Sequence, residues 1–158
     1  MSNLLYGDED YALWWLIVQS RRAMHNVRRK ELFQAGITPV EASVLFIVQA
    51  IGHKSTPAEI ARWLFRKPHS VSSLLARMAK RGLVRKVSDL ERKNQVRVII
   101  TEKGRDAYHQ STKRESIHRM MSSLSDEQRR ELRSSLQLLR DKALEELGVA
   151  RPPFPPFE

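Results

Sequence analysis

From Ile60 to Ser88 the chain runs for 29 consecutive residues without an aspartate or glutamate, although the whole sequence holds 18 of them. The same stretch carries eight basic residues: Arg62, Arg66, Lys67, Arg77, Lys80, Arg81, Arg85 and Lys86. Its apolar residues follow helical spacing twice, across a tight turn, and then the alternation of a hairpin. Such a segment must turn its apolar side chains inward and its cations outward. The result is a small core under one strongly positive surface. A surface of this kind suits the dense phosphates of duplex DNA, and helix-turn-helix proteins place such a helix in the major groove.

The chain has 158 residues, enough for one domain with a core. Its formal net charge is +10. Because the charge is clustered, it points to a polyanionic partner rather than to solubility alone. Cysteine is absent, which excludes disulfides, thiol switches and zinc-finger ligation. The five histidines, at 25, 53, 69, 109 and 118, have no i, i+4 pair, so neither a metal nor another cofactor is expected. No Gly-rich phosphate loop or nucleophile elbow supports an enzyme. The N-terminus lacks the pattern of a signal peptide. The longest apolar run, Ala12–Val18, is far short of the roughly 20 residues of a membrane span. A cytoplasmic protein without a membrane partner is expected.

Residues 8–34 read as one long helix, acidic at its start and basic near its end, as the helix dipole favours. Tyr11, Trp14, Trp15, Val18 and Leu32 give it more apolar surface than a small domain can cover, so part should meet a partner chain. Thr38-Pro39-Val40-Glu41 and Thr56-Pro57-Ala58-Glu59 each open a helix. Their apolar faces are Val40, Val44, Ile47, Val48 and Ile51, then Ile60, Ala61 and Leu64. Arg66-Lys67-Pro68 breaks the third helix. A fourth begins near His69 or Ser70, with Val71, Leu74, Leu75 and Met78 inward and Ser70 placed to cap it. Leu83–Val87 and Gln95–Thr101 read as strands flanking a charged loop, 88–94. Thr101 opens a fifth helix to about Ser122, and Ser125 a sixth to about Leu147 with Leu132, Leu136, Leu139 and Leu144 as its stripe. The Pro-rich tail, 151–158, reads as an extended arm. Its Phe154 and Phe157 are candidates for docking.

The expected fold class is mainly α with a small two- or three-stranded β wing. In order and in motif the chain resembles the MarR family of winged helix-turn-helix transcriptional regulators. The resemblance spans about Tyr11 to Leu147. It rests on Ala58-Glu59-Ile60-Ala61, Lys80-Arg81-Gly82-Leu83-Val84, Ser88-Asp89 and Val98-Ile99-Ile100-Thr101-Glu102-Lys103-Gly104. It implies a homodimer. Residues 1–36 and 101–150 would form a helical dimerisation region from N- and C-terminal helices, and 37–100 the winged helix-turn-helix DNA-binding lobe. One departure stands out. Many members read Asp-Pro-x-Asp-Arg-Arg in the wing. Here Asp89-Leu90-Glu91-Arg92-Lys93-Asn94 places Arg92 where the second aspartate would be, so the internal wing ion pair common in the family is not implied for this chain.

Base edges specify sequence and phosphate contacts set position. The front of the fourth helix offers His69, Ser70, Ser72 and Ser73, adaptable readers. Arg77 is the candidate for a guanine or phosphate contact, Lys67 and Lys80 for phosphate clamps. Arg92, with Lys93, is the candidate for minor-groove entry, and Arg97 for a phosphate contact from the wing strand. A two-fold dimer implies a pseudo-palindromic operator with half-sites about 10 bp apart. The resemblance also implies repression, and release by a small, often aromatic effector. Trp14, Trp15, Met24, His25, Phe46 and Trp63 are candidates to line a ligand pocket, or else core and interface residues. The rival reading is a winged-helix module for sequence-independent DNA binding or protein–protein contact.

Overall fold

The computed structural model describes residues 7–89 and 95–150, with the backbone alone at Asp89. Side-chain caps set most of the helix starts. Thr38, Thr56, Thr101 and Ser125 each accept a hydrogen bond from the backbone amide three residues on, at Glu41, Glu59, Gly104 and Gln128. They open α2 (Pro39–Ile51), α3 (Pro57–Leu64), α5 (Glu102–Ser111) and α7 (Asp126–Leu147). Asp8 does the same for α1 (Glu9–Phe33) through the amide of Tyr11. The helix α4 (Pro68–Lys80) departs from expectation. Lys67 is its N-cap, without a side-chain bond, and Pro68 is its first residue. Proline suits that position because its fixed φ is already helical and its missing N–H would have been unpaired there. Ser70 is therefore inside the helix and does not cap it.

The two strands β1 (Val84–Asp89) and β2 (Gln95–Ile100) pair antiparallel, from Val84 with Ile100 to Asp89 with Gln95. Ser55 lies against the free edge of β2. The Val98 amide donates to the Ser55 carbonyl at 2.8 Å, and the Ser55 hydroxyl donates to the Val98 carbonyl at 2.6 Å. Together these two bonds do the work of a third strand, so the sheet has two strands and a one-residue extension.

The core sits between α2, α3, α4 and the wing. Val44, Leu45, Ile47, Val48, Ile60, Val71, Leu74, Leu75, Met78, Val84 and Val98 are buried in it. Two sequence motifs meet at its edge. Gly82 turns the chain from α4 into β1 with φ +75. The Thr101 hydroxyl donates to the Gly82 carbonyl at 2.5 Å, and the Thr101 amide to the Leu83 carbonyl at 3.3 Å. Gly104 packs so tightly there that a Cβ would lie 1.9 Å from the Leu83 carbonyl oxygen. The Arg-Gly-Leu-Val and Thr-Glu-Lys-Gly pieces are thus two halves of one joint.

The expected fifth helix is in fact two. α5 stops at Ser111, Arg114 turns left-handed with φ 52, and α6 (Glu115–Met121) follows. The break is held from α1. Arg28 donates to the Ser111 carbonyl at 2.6 Å and pairs with Glu31 at 2.5 Å. Glu31 in turn accepts from the Ser116 amide at 3.1 Å and from the Ser116 hydroxyl. Burial pushes the Glu31 carboxyl up, but the Ser116 and Arg28 hydrogen bonds outweigh it and hold the group at about 2.

The terminal helices are exposed by contrast. Leu32 is the only buried residue of α1 and Leu144 the only one of α7. Leu13, Trp14, Trp15, Leu16 and Ile17 are all exposed, as are Leu132, Leu136, Leu138 and Leu139. No helix among the described residues is long and apolar enough to cross a membrane.

Candidate nucleic-acid interface

The face of α4 opposite its core stripe is set by helical geometry. Buried Val71, Leu74, Leu75 and Met78 fix the inner side. At about 100° per residue His69, Ser73, Arg77 and Lys80 then fall on the far side, with Ser70 and Ser72 flanking. All six are exposed, and so is Lys67 at the N-cap. Ala76 lies among them, leaving a shallow strip between short side chains in front and cations behind. Seven of the ten expected DNA-contacting residues are brought together here: Lys67, His69, Ser70, Ser72, Ser73, Arg77 and Lys80. None of the seven forms an ion pair among the described residues.

The remaining three are elsewhere. Arg92 and Lys93 lie outside the described residues. Arg97 is on β2, half-buried, with its Nε buried and unpartnered among the described residues. It lines a cleft to which α4 contributes nothing.

Not every cation of the acid-free stretch faces outward for a partner. Arg81 pairs with buried Glu41 at 2.6 Å and also donates to the Gly36 carbonyl. It braces the end of α4 against the start of α2. Arg62 pairs with Glu59 at 3.2 Å on the surface. Sequence reasoning missed the role of Arg81, because Glu41 is 40 residues away and serves the cap of α2 as well.

The candidate pocket residues are not brought to one place. Trp14, Trp15, Met24 and His25 lie exposed along α1. Trp63 packs against the lobe core with its indole N–H buried and unpaired among the described residues. Phe46 alone of the six lines a cavity of about 260 Å³, whose other walls include Arg28, Ala42, Tyr108, Arg114 and Ile117. The lining residues missed from sequence include Tyr108 and Ser111 of α5, Arg114 at the break and Ile117 of α6.

These features define a class. Residues 37–104 match the winged helix DNA-binding domain family. A sequence search of curated proteins returns no match. Among solved structures, the organohalide sensing transcriptional regulator RdhR, in its 2,4-dichlorophenol bound form, is similar over 100% of this chain and 95% of its own. That match has a TM-score of 0.88 at 29% identity. MepR of S. aureus, in a complex with DNA, gives a TM-score of 0.76 at 20% identity, covering 86% of this chain and 99% of that one. A transcriptional regulator (MarR family) from Rhodococcus sp. RHA1 gives 0.73 at 19%, covering 84% and 96%. The chain is a winged helix protein. Its described residues share the fold of the MarR-family transcriptional regulators, with residues 37–104 as the winged helix domain.

Proposed function

We propose that this chain is a sequence-specific DNA-binding regulator that acts as a homodimer on a pseudo-palindromic operator. In this reading α4 enters the major groove and the wing tip, 88–94 with Arg92 and Lys93, reaches the minor groove. The observation that carries it is the exposed, unpaired face of α4, with small polar residues in front and Arg77 and Lys80 behind. MepR, of like fold, has been seen in a complex with DNA. The exposed apolar side chains at the start of α1 and the exposed leucine stripe of α7 support the dimer, because contiguous apolar surface of this kind marks an interaction site. Repression rests on the resemblance to the family. The cavity beside Phe46 and Tyr108 supports release by a small aromatic effector, and RdhR has been solved with a chlorophenol bound.

The test is binding to the duplex upstream of its own gene at near-physiological salt, against a random duplex as competitor. A specificity ratio of at least about 10³ is expected. A ratio near one would replace this reading with sequence-independent DNA binding. Arg77→Ala should weaken specific binding by about 1–3 kcal/mol and relax the preference at one position. Unchanged affinity and specificity in that variant would remove α4 from the interface.

A further inference from the structure

Behind the wing lies a second cationic feature, separate from α4. A cleft of about 450 Å³ opens between the end of α2, the turn at 52–54, the two strands and the start of α5. Its charged and titratable lining is Arg85, Arg97, Arg105 and His53, with no carboxylate. None of the four has an ion pair among the described residues.

Hairpin register explains how two of them meet. Arg85 pairs with Ile99 and Arg97 with Val87. Positions two apart on each strand share one face of the sheet, so Arg85 and Arg97 project from the same side. Arg105, on α5, brings a third guanidinium to the same space. Three like charges around one cleft repel each other, and no protein group among the described residues answers them. The second observation is the Arg97 Nε, buried and unpaired. A buried guanidinium N–H without an acceptor is unfavourable, and it cannot turn to bulk water. The planar fork of arginine matches the paired oxygens of a carboxylate or phosphate.

We propose that this cleft is an oxyanion site, taking a phosphate or carboxylate group between Arg85, Arg97 and Arg105. The oxyanion has two sources, a free small molecule or a DNA backbone phosphate. The site stands independently of the reading of α4, because no residue of α3 or α4 lines it.

The experiment is a thermal melt of the full chain titrated with inorganic phosphate and pyrophosphate, with ionic strength held constant by chloride. A saturable rise in Tm is expected. The half-saturating concentration should increase at least about tenfold in Arg97→Gln and in Arg105→Gln, each of which removes one guanidinium fork. Arg105 is exposed, so Arg105→Gln should melt as the wild type does without added anion. Duplex binding then separates the sources. If the oxyanion is a DNA phosphate, Arg105→Gln flattens the salt dependence of DNA binding, and pyrophosphate competes with the duplex. If it is a free molecule, Arg105→Gln binds DNA as the wild type does in the absence of anion. No saturable response in the wild type, or equal half-saturation in all three proteins, would overturn the site.

Discussion

The winged lobe hides its apolar residues and the terminal helices display theirs. The 13-residue α2 buries Val44, Leu45, Ile47 and Val48. The 25-residue α1 buries only Leu32 and leaves Trp14 61% exposed. The hydrophobic effect acts equally on both regions, so the difference is one of completeness. The lobe closes its core within a single copy. The frame of α1 and α7 presents a surface that no other described residue covers, and on the dimeric reading a second chain does so.

This contrast can be broken most severely from the frame. Trp14→Ser with Leu136→Ser removes four large apolar side chains from each proposed dimer, about 6 kcal/mol or more at 1.5–3 kcal/mol per buried side chain. Analytical ultracentrifugation should show a monomer, and the melting point should lose its dependence on concentration. A variant that stays dimeric would remove these helices from the interface.

Leu75→Ala acts on the lobe alone. Leu75 is fully buried, so the cavity should lower stability by about 2–5 kcal/mol. Denaturant unfolding should show this loss at every protein concentration. A loss that varied with concentration would mean that the lobe is not complete in one copy.

The smallest effect sharpens the boundary between the two regions. The Glu31 carboxyl is held at about 2 in the folded chain, below its ordinary value of 4.5. Its contribution is therefore fully present above about pH 4.5 and is lost as the pH falls from there towards 2. The depression corresponds to at most about 3 kcal/mol. Melting curves of Glu31→Gln should lack that part of the acid dependence. Parallel pH profiles for variant and wild type would show that the α1 to α6 bond is not formed in solution.

Local chemistry made much of this fold legible in the sequence. Thr38, Thr56, Thr101 and Ser125 announce their helices because a cap involves only the next three residues. The inner stripe of α4 and the hairpin follow from spacing alone, and the outer face of α4 follows from the inner one. What stayed hidden depends on distant partners. The break before Glu115 is held by Arg28 and Glu31, on a helix more than 80 residues earlier. Arg81 looked like one cation among eight until Glu41 was found against it. The six aromatic, methionine and histidine residues grouped as a pocket share chemistry and not location. Only the fold shows that Phe46 faces Tyr108 while Trp14 and Trp15 face outward.

The joint at Thr101 has a mechanical consequence. A single residue separates β2 from α5, and its amide and hydroxyl are both tied to the turn that begins β1. With Gly104 seated against Leu83, the joint has no slack. A tilt of α5 would therefore pull directly on the base of the sheet. Six residues of strand span about 20 Å. Over that length a tilt of the sheet by about 5° would carry its far end roughly 1.7 Å. A displacement of that size is comparable to the reach of a hydrogen bond. Small movements beside the cavity at Tyr108 would be delivered to the far ends of β1 and β2.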